Sequence, residues 1–184
     1  EHGTKIAQAA EERGLTPQQH VDVMAPKYRA LAAAVGASND FFIRTTDEGH
    51  MKRVQEIVQR VHDNGHVYEG VYEGWYCPRC EGFKDEEELR QPGNVCPDHE
   101  RPCEWTEEEN FFFRLSAYQG WLRVTIESDR LHIRPESRRN EILGVIKQGL
   151  KDFSGSRARV KWGIPVPEHP DHVLYVWVDA LSNY

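Results

Sequence analysis

Two matched four-residue units, Cys77-Pro78-Arg79-Cys80 and Cys96-Pro97-Asp98-His99, constrain this chain more than any other feature. Each unit sets two metal-ligating side chains two residues apart, and 15 residues separate the units. That spacing lets a tight turn aim both side chains at one ion while backbone amides point at the sulfurs, and two such turns complete a tetrahedron. Four protein ligands leave no coordination position for water, so the pattern reads as one structural zinc ion rather than a catalytic one. Four thiols without metal are the competing reading. Cys103 keeps a second alternative open, because it lies close enough after Cys96 to close an all-cysteine site. His99 is preferred because it repeats the spacing of the first unit. The excursion is short and holds few aliphatic residues, so the metal would supply the local folding energy that a core of that size cannot.

Composition narrows the class of protein. All four cysteines fall within 27 positions of a chain with no sign of export, which favours metal over disulfides. The 23 Lys and Arg against 30 Asp and Glu give a net charge of −7, which disfavours a mainly electrostatic grip on nucleic acid. The longest apolar runs, Ala30 to Val35 and Val173 to Val178, are six residues each. A bilayer needs roughly 20. No signal segment opens the chain, so membrane and secreted readings fall and a cytoplasmic protein is expected. Five Trp, seven Tyr and seven Phe supply enough large apolar surface for a core. With no initiator Met and both ends inside patterned sequence, the chain is expected to be part of a longer protein.

The periodicity alternates. Thr4 to Arg13 reads as a short helix ended at Gly14. Thr16, Pro17 and Gln19 open a second helix with an N-cap, a first-turn proline and a capping-box Gln, and Pro26 is expected to kink or split it before Gly36. Phe41 to Ile43 predicts a buried strand. Val54, Ile57, Val58 and Val61 stand at helical spacing, capped by Thr46 and ended at Gly65. His66 to Tyr76 predicts a strand or ribbon leading into Cys77, and Asn110 to Leu115 a second strand. Helices are predicted over Tyr118 to Glu127 and Pro135 to Leu150, then a loop over Ser154 to Lys161, a Pro-rich turn, and an apolar strand over Val173 to Val178 with Asp179 as the cap of a following helix. The acidic runs at 85–88 and 107–109 read as solvated loops. This order predicts an α/β domain interrupted by a Cys-rich insertion.

Several segments, in order, resemble one family. Glu1-His2-Gly3-Thr4, Phe41-Phe42-Ile43-Arg44-Thr45-Thr46, the two ligand units, Glu109 to Ser116, Trp162 to Pro167 and Tyr175 to Leu181 are similar to the bacterial-type methionyl-tRNA synthetases over essentially the whole chain. The resemblance implies a Rossmann-like class I catalytic domain over 1–44, a connective insertion over 45–153 with its zinc knuckle at about 77–103, and a return to the catalytic domain over 154–184. It implies activation of methionine by ATP, with Mg2+, followed by transfer to tRNA. It assigns Trp177, Ala180, Leu181 and Tyr184 to the wall of the methionine pocket, Arg157 to the reacting phosphate and carboxylate charge, and His2 and Gly3 to the approach of amino acid and nucleotide. A thioether is soft and polarizable, so an aromatic, apolar wall suits it. A bidentate guanidinium suits a transition state rich in oxyanion charge.

The chain also departs from the pattern. The family's His-Ile-Gly-His and Lys-Met-Ser-Lys-Ser signatures are absent, and Gly155 stands where Ile is usual. The chain alone is therefore expected to be inactive. Against these roles stand plainer ones: Trp177 and its neighbours as core packing, and Arg157 as one of a basic group with Arg159 and Lys161 on a solvated loop. His50 and the other scattered histidines receive no role. The competing functions are a zinc-ribbon module that binds nucleic acid or protein without catalysis, and a class I synthetase for another amino acid.

Overall fold

The protein is described by a computed structural model over residues 1–80 and 82–183. Local sequence chemistry sets most of its helices. Helix α1 spans Thr4–Glu11 and α2 spans Pro17–Ala34. Thr16 and Gln19 exchange side-chain and backbone hydrogen bonds at 2.9 and 3.2 Å, a complete capping box. Helix α2 is not split at Pro26, which lies on the exposed face, where the carbonyl left without a partner meets water. Helix α3 spans Glu48–Asp63, and its cap is Asp47 rather than Thr46. The Thr46 hydroxyl is already committed, donating to Glu1 Oε2 at 2.6 Å, while Asp47 Oδ2 accepts from the Arg44 amide at 3.1 Å.

Phe41 to Ile43 is not a buried strand. The run is irregular, and Phe41 is 76% exposed. An apolar run becomes a strand only with a ladder partner. Here the Phe41 carbonyl accepts instead from the Asn39 side chain at 3.0 Å, and Phe42 lies under Arg29.

The central feature is a long ribbon of β1 (Val67–Cys77) and β3 (Glu104–Phe113), paired antiparallel from Val67↔Phe113 to Tyr76↔Glu104. Strand β2 (Gly82–Lys84) lines one edge of β1, and β4 (Phe153–Ser154) pairs with the far end of β3. The acidic run at 107–109 therefore lies in a strand, and Glu108 is buried beside Asn110, which donates to it at 3.1 Å. Helices α4 (Gln119–Glu127) and α5 (Glu136–Gln148) pack on each other after the ribbon.

A second sheet has the order β5-β7-β6, with β5 at Ser156–Arg157, β6 at Pro165–Val166 and β7 at His169–Leu174. Every pairing among the described strands is antiparallel. The strand expected to run to Val178 stops at Leu174. The Tyr175 amide turns aside to donate to the Gly155 carbonyl at 2.8 Å, and the Tyr175 carbonyl accepts the first bonds of helix α6 (Val176–Leu181). Gly163 allows this sheet to close, because a Cβ there would stand 2.9 Å from the Cβ of Val173. The aliphatic core joins the two sheets through Val54 of α3, Phe111 of β3, Ile164, Val166 and Leu174.

Candidate functional site: a metal centre and a two-ended cleft

The ribbon delivers the first ligand unit. Cys77 ends β1, a tight turn follows, and the Cys80 amide lies 3.4 Å from the Cys77 sulfur, so the backbone points at the thiolate position. Cys96 and His99 sit in a second turn closed by Glu100 N–H to the Cys96 carbonyl at 2.9 Å. The ligand atoms of Cys77, Cys80, Cys96 and His99 all lie within 4.8 Å of one another. The Cys80 sulfur is 3.5 Å from that of Cys96 and 3.2 Å from His99 Nδ1. A tetrahedron with about 2.3 Å bonds to sulfur has edges of about 3.8 Å, so the quartet is close to the size of one ion's coordination shell.

The thiols resist sharing this space without a cation. Burial and the neighbouring thiols push Cys80 up to about 12, while Cys96, raised by burial, is brought down to about 6 by hydrogen bonds from His99 and the amides of Asp98 and His99. Cys103 is buried against Cys77 and pushed up to about 11, outside the convergent quartet. The convergent quartet, which includes His99 and not Cys103, therefore fits a metal ion.

The chain's opening residues are pinned from several sides. The Glu1 carboxylate accepts from Arg44 Nε at 2.8 Å and from the Thr46 hydroxyl and amide. Burial alone would raise its pKa, and these donors together hold it below the ordinary value. Trp162 Nε1 donates to the Glu1 carbonyl at 3.0 Å, and Gly3 takes the N-cap position of α1 at φ 112°, where a side chain would be strained.

His2 and Gly3 are thereby fixed at one end of a cleft. His2 Nδ1 lies 2.7 Å from Asp179 Oδ2, and His50 Nε2 lies 2.6 Å from Asp179 Oδ1. Asp179 is 1% exposed and lies within α6, so it is not that helix's cap. Its carboxylate bridges two imidazoles from segments 177 and 129 residues away. Burial pushes its pKa up, and the two histidines outweigh that and hold it below the ordinary value. The signal for His50 was its position one turn before Val54 on the inward face of α3, where a polar side chain needs a partner.

Arg157 is no member of a solvated loop. It is 5% exposed, and its Nη1 donates to Ser154 Oγ and the Ser156 carbonyl, both at 2.8 Å. It lines a small cavity with His2, Gly3 and Trp162, and a wider one of about 630 Å³ with Arg159 and Lys161. Trp177 and Leu181, one helical turn apart on α6, line a separate apolar cavity of about 490 Å³ with Phe111, Phe113 and Phe153. Leu174 and Tyr175 border both this cavity and the one at His2 and Arg157. Ala180 is half-buried and lines neither, and Tyr184 lies outside the described residues. Trp177 and Leu181 are 54% and 61% exposed, so they are not interior packing of this chain.

The family model of tRNA synthetases class I (M) matches residues 1–102 and 85–184. The chain belongs to that family. As a class I synthetase chain it is 49% identical, over all of its length, to a methionine–tRNA ligase of Thermotoga maritima, of which it spans 30%. It is 48% identical to that of Thermosynechococcus vestitus, spanning 35%. The chain thus covers about a third of the length of these curated relatives. Among solved structures, the Mycobacterium tuberculosis methionyl-tRNA synthetase in complex with methionyl-adenylate matches all of the chain and 36% of its own, with a TM-score of 0.93 and 42% identity. The free-state structure of the Mycobacterium tuberculosis enzyme matches 91% of the chain with a TM-score of 0.76. Among the described residues, no helix of this synthetase chain is long and apolar enough to cross a membrane.

Proposed function

We propose that the chain is part of a cytoplasmic methionine–tRNA ligase. Its parent joins methionine to ATP as methionyl-adenylate and passes the methionyl group to tRNA. The carrying observation is the likeness of the whole chain, at 42% identity and a TM-score of 0.93, to an enzyme bound to methionyl-adenylate. Residues 1–44 and 154–184 would be the catalytic domain's share and 45–153 its connective insertion.

In the reaction the methionine carboxylate attacks the α-phosphorus of ATP and pyrophosphate leaves. Charge builds on the phosphate oxygens, and the buried Arg157 guanidinium answers it. Mg2+ supplies further charge neutralisation when the nucleotide is bound. The thioether would lie against Trp177 and Leu181, with Ala180 and Tyr184 completing the wall. The ammonium and carboxylate end would reach past Leu174 and Tyr175 to His2 and Gly3. The Asp179 carboxylate, 2.7 Å from His2 Nδ1, fixes the orientation of the His2 ring at that end.

The metal is zinc on this reading. Three thiolates and one imidazole suit it, and four protein ligands give it a structural task. X-ray absorption on the whole enzyme should give three sulfurs at about 2.3 Å and one nitrogen at about 2.0 Å. Four sulfurs would move the fourth place to Cys103. The functional test is exchange of labelled pyrophosphate into ATP, which should require methionine and the whole protein. This chain alone should give none, because the groups that hold the triphosphate lie in the missing signatures.

A further inference from the structure

Arg157 is a buried cation whose environment is unusual in one respect. No carboxylate among the described residues pairs with it, and its Nε is buried without a hydrogen-bond partner. A buried charge without compensation is costly. The compensation here comes from rings. The guanidinium carbon lies 4.3 Å from the ring centre of Tyr175, 5.1 Å from that of Phe83 and 6.0 Å from that of Tyr76. Aromatic faces attract a cation within about 6 Å without cancelling its charge. A carboxylate partner would neutralise the charge that a reacting phosphate needs.

Two of the three rings come from the metal hairpin. Tyr76 immediately precedes Cys77, and Phe83 lies three residues after Cys80. Tyr76 and Phe83 are direct partners across β1 and β2, with ring centres 5.0 Å apart, and the next pair in that register is Cys77↔Gly82. Phe83 is also backed by Tyr72 at 3.5 Å. The third ring abuts the same hairpin, since a Cβ on Gly82 would stand 4.0 Å from the Tyr175 hydroxyl.

We propose that Tyr76, Phe83 and Tyr175 form an aromatic cage that positions the Arg157 guanidinium, and that the metal centre fixes this cage by holding the hairpin that carries two of its rings. The three are positioning residues, and the part of this inference that concerns rate rests on the methionine-activation reading above. A guanidinium held in a rigid cage is aimed before charge develops on the phosphate, so the cage acts on kcat and not on substrate binding.

The test uses the full-length enzyme with Phe83→Leu, which keeps apolar bulk and removes the π face. The kcat of methionine-dependent pyrophosphate exchange should fall about tenfold with both KM values and the metal content unchanged, and Phe83→Tyr should recover most of the rate. The NMR resonance of Arg157 Nε–H, identified by its loss in Arg157→Lys, should carry a ring-current shift. That shift should diminish in Phe83→Leu and in the metal-stripped wild-type enzyme. If Phe83→Leu loses metal, the Nε–H shift in Tyr175→Leu repeats the test from outside the hairpin; it is read without the KM criterion, because Tyr175 also borders the methionine path. An unchanged rate and an unchanged Nε–H shift would overturn the cage, as would equal losses in the Leu and Tyr variants. An Nε–H shift indifferent to metal removal would overturn the link to the metal centre. A wild-type enzyme without methionine-dependent exchange, but with the expected Nε–H response, would sink the functional reading and leave the cage standing.

Discussion

The two ends of the β1–β3 ribbon are held by different physics. At one end Val54, Ile164, Val166, Leu174 and Phe111 pack as an aliphatic and aromatic core, with Val54 and Ile164 fully excluded from water. At the other the buried set is Cys77, Cys96, Cys103 and one aliphatic residue, Leu89. The first end has enough apolar area to hold its shape by burial. The second does not, and its thiols repel one another's charge unless a cation joins them. The lesson is that one continuous ribbon carries a hydrophobic domain into an outlying segment that has little apolar area of its own and a cysteine–histidine quartet placed to hold an ion.

The comparison can be broken most sharply at the metal. Apparent binding energies of structural zinc are about 10–16 kcal/mol, so stripping the ion should unfold residues 77–103 while leaving the core end folded. Hydrogen exchange should show protection lost around Cys77 to Cys103 and kept at Val54 and Leu174. Loss of protection at both ends together would mean one cooperative unit rather than two. The converse experiment is Ile164→Ala, which opens a cavity in the core and should cost about 4 kcal/mol in denaturant unfolding without changing the metal content.

A third variant separates buried polar order from both. Asp179→Asn leaves two imidazoles facing an amide and should cost about 2 kcal/mol at neutral pH. The folded carboxyl is held below its ordinary value, so its contribution is present above a pH of about 4 and is lost as pH falls through the depressed value. The gap between wild type and Asp179→Asn should therefore close in acid. A constant gap would mean that the carboxylate charge is not what stabilises the bridge. The smallest effect belongs to Trp177, which is already 54% exposed. Trp177→Ala in the whole enzyme should weaken methionine by about 1–2 kcal/mol and leave ATP binding and stability unchanged, as isothermal titration and melting would show. Equal loss of both ligands would remove Trp177 from the pocket.

What the sequence revealed follows the range of the interactions. The metal quartet was legible because its ligands come in pairs two residues apart, and the capping box at Thr16 and Gln19 because it is local. The irregular run at Phe41 to Ile43 and the early end of β7 at Leu174 were not, since a ladder partner decides each: Asn39 takes the Phe41 carbonyl, and Gly155 takes the Tyr175 amide. The cap at Thr46 was displaced by Glu1, 45 residues away, and the bridge from Asp179 to His2 and His50 spans most of the chain. Nothing in a one-dimensional pattern records such pairings. Arg157 illustrates the mixed case, because its neighbours Arg159 and Lys161 suggest a solvated loop while the rings around it lie on β1, on β2 and after β7.

The central claim is that Arg157 answers charge formed when methionine attacks ATP. The direct measurement is methionine-dependent exchange of pyrophosphate into ATP by the full-length enzyme, wild type against Arg157→Ala. The account predicts robust exchange in the wild type and a fall in kcat of at least about a hundredfold in the variant, with methionine affinity nearly unchanged, since the guanidinium acts on the transition state. Exchange that survives in Arg157→Ala, or a loss carried entirely by weaker methionine binding, would contradict it.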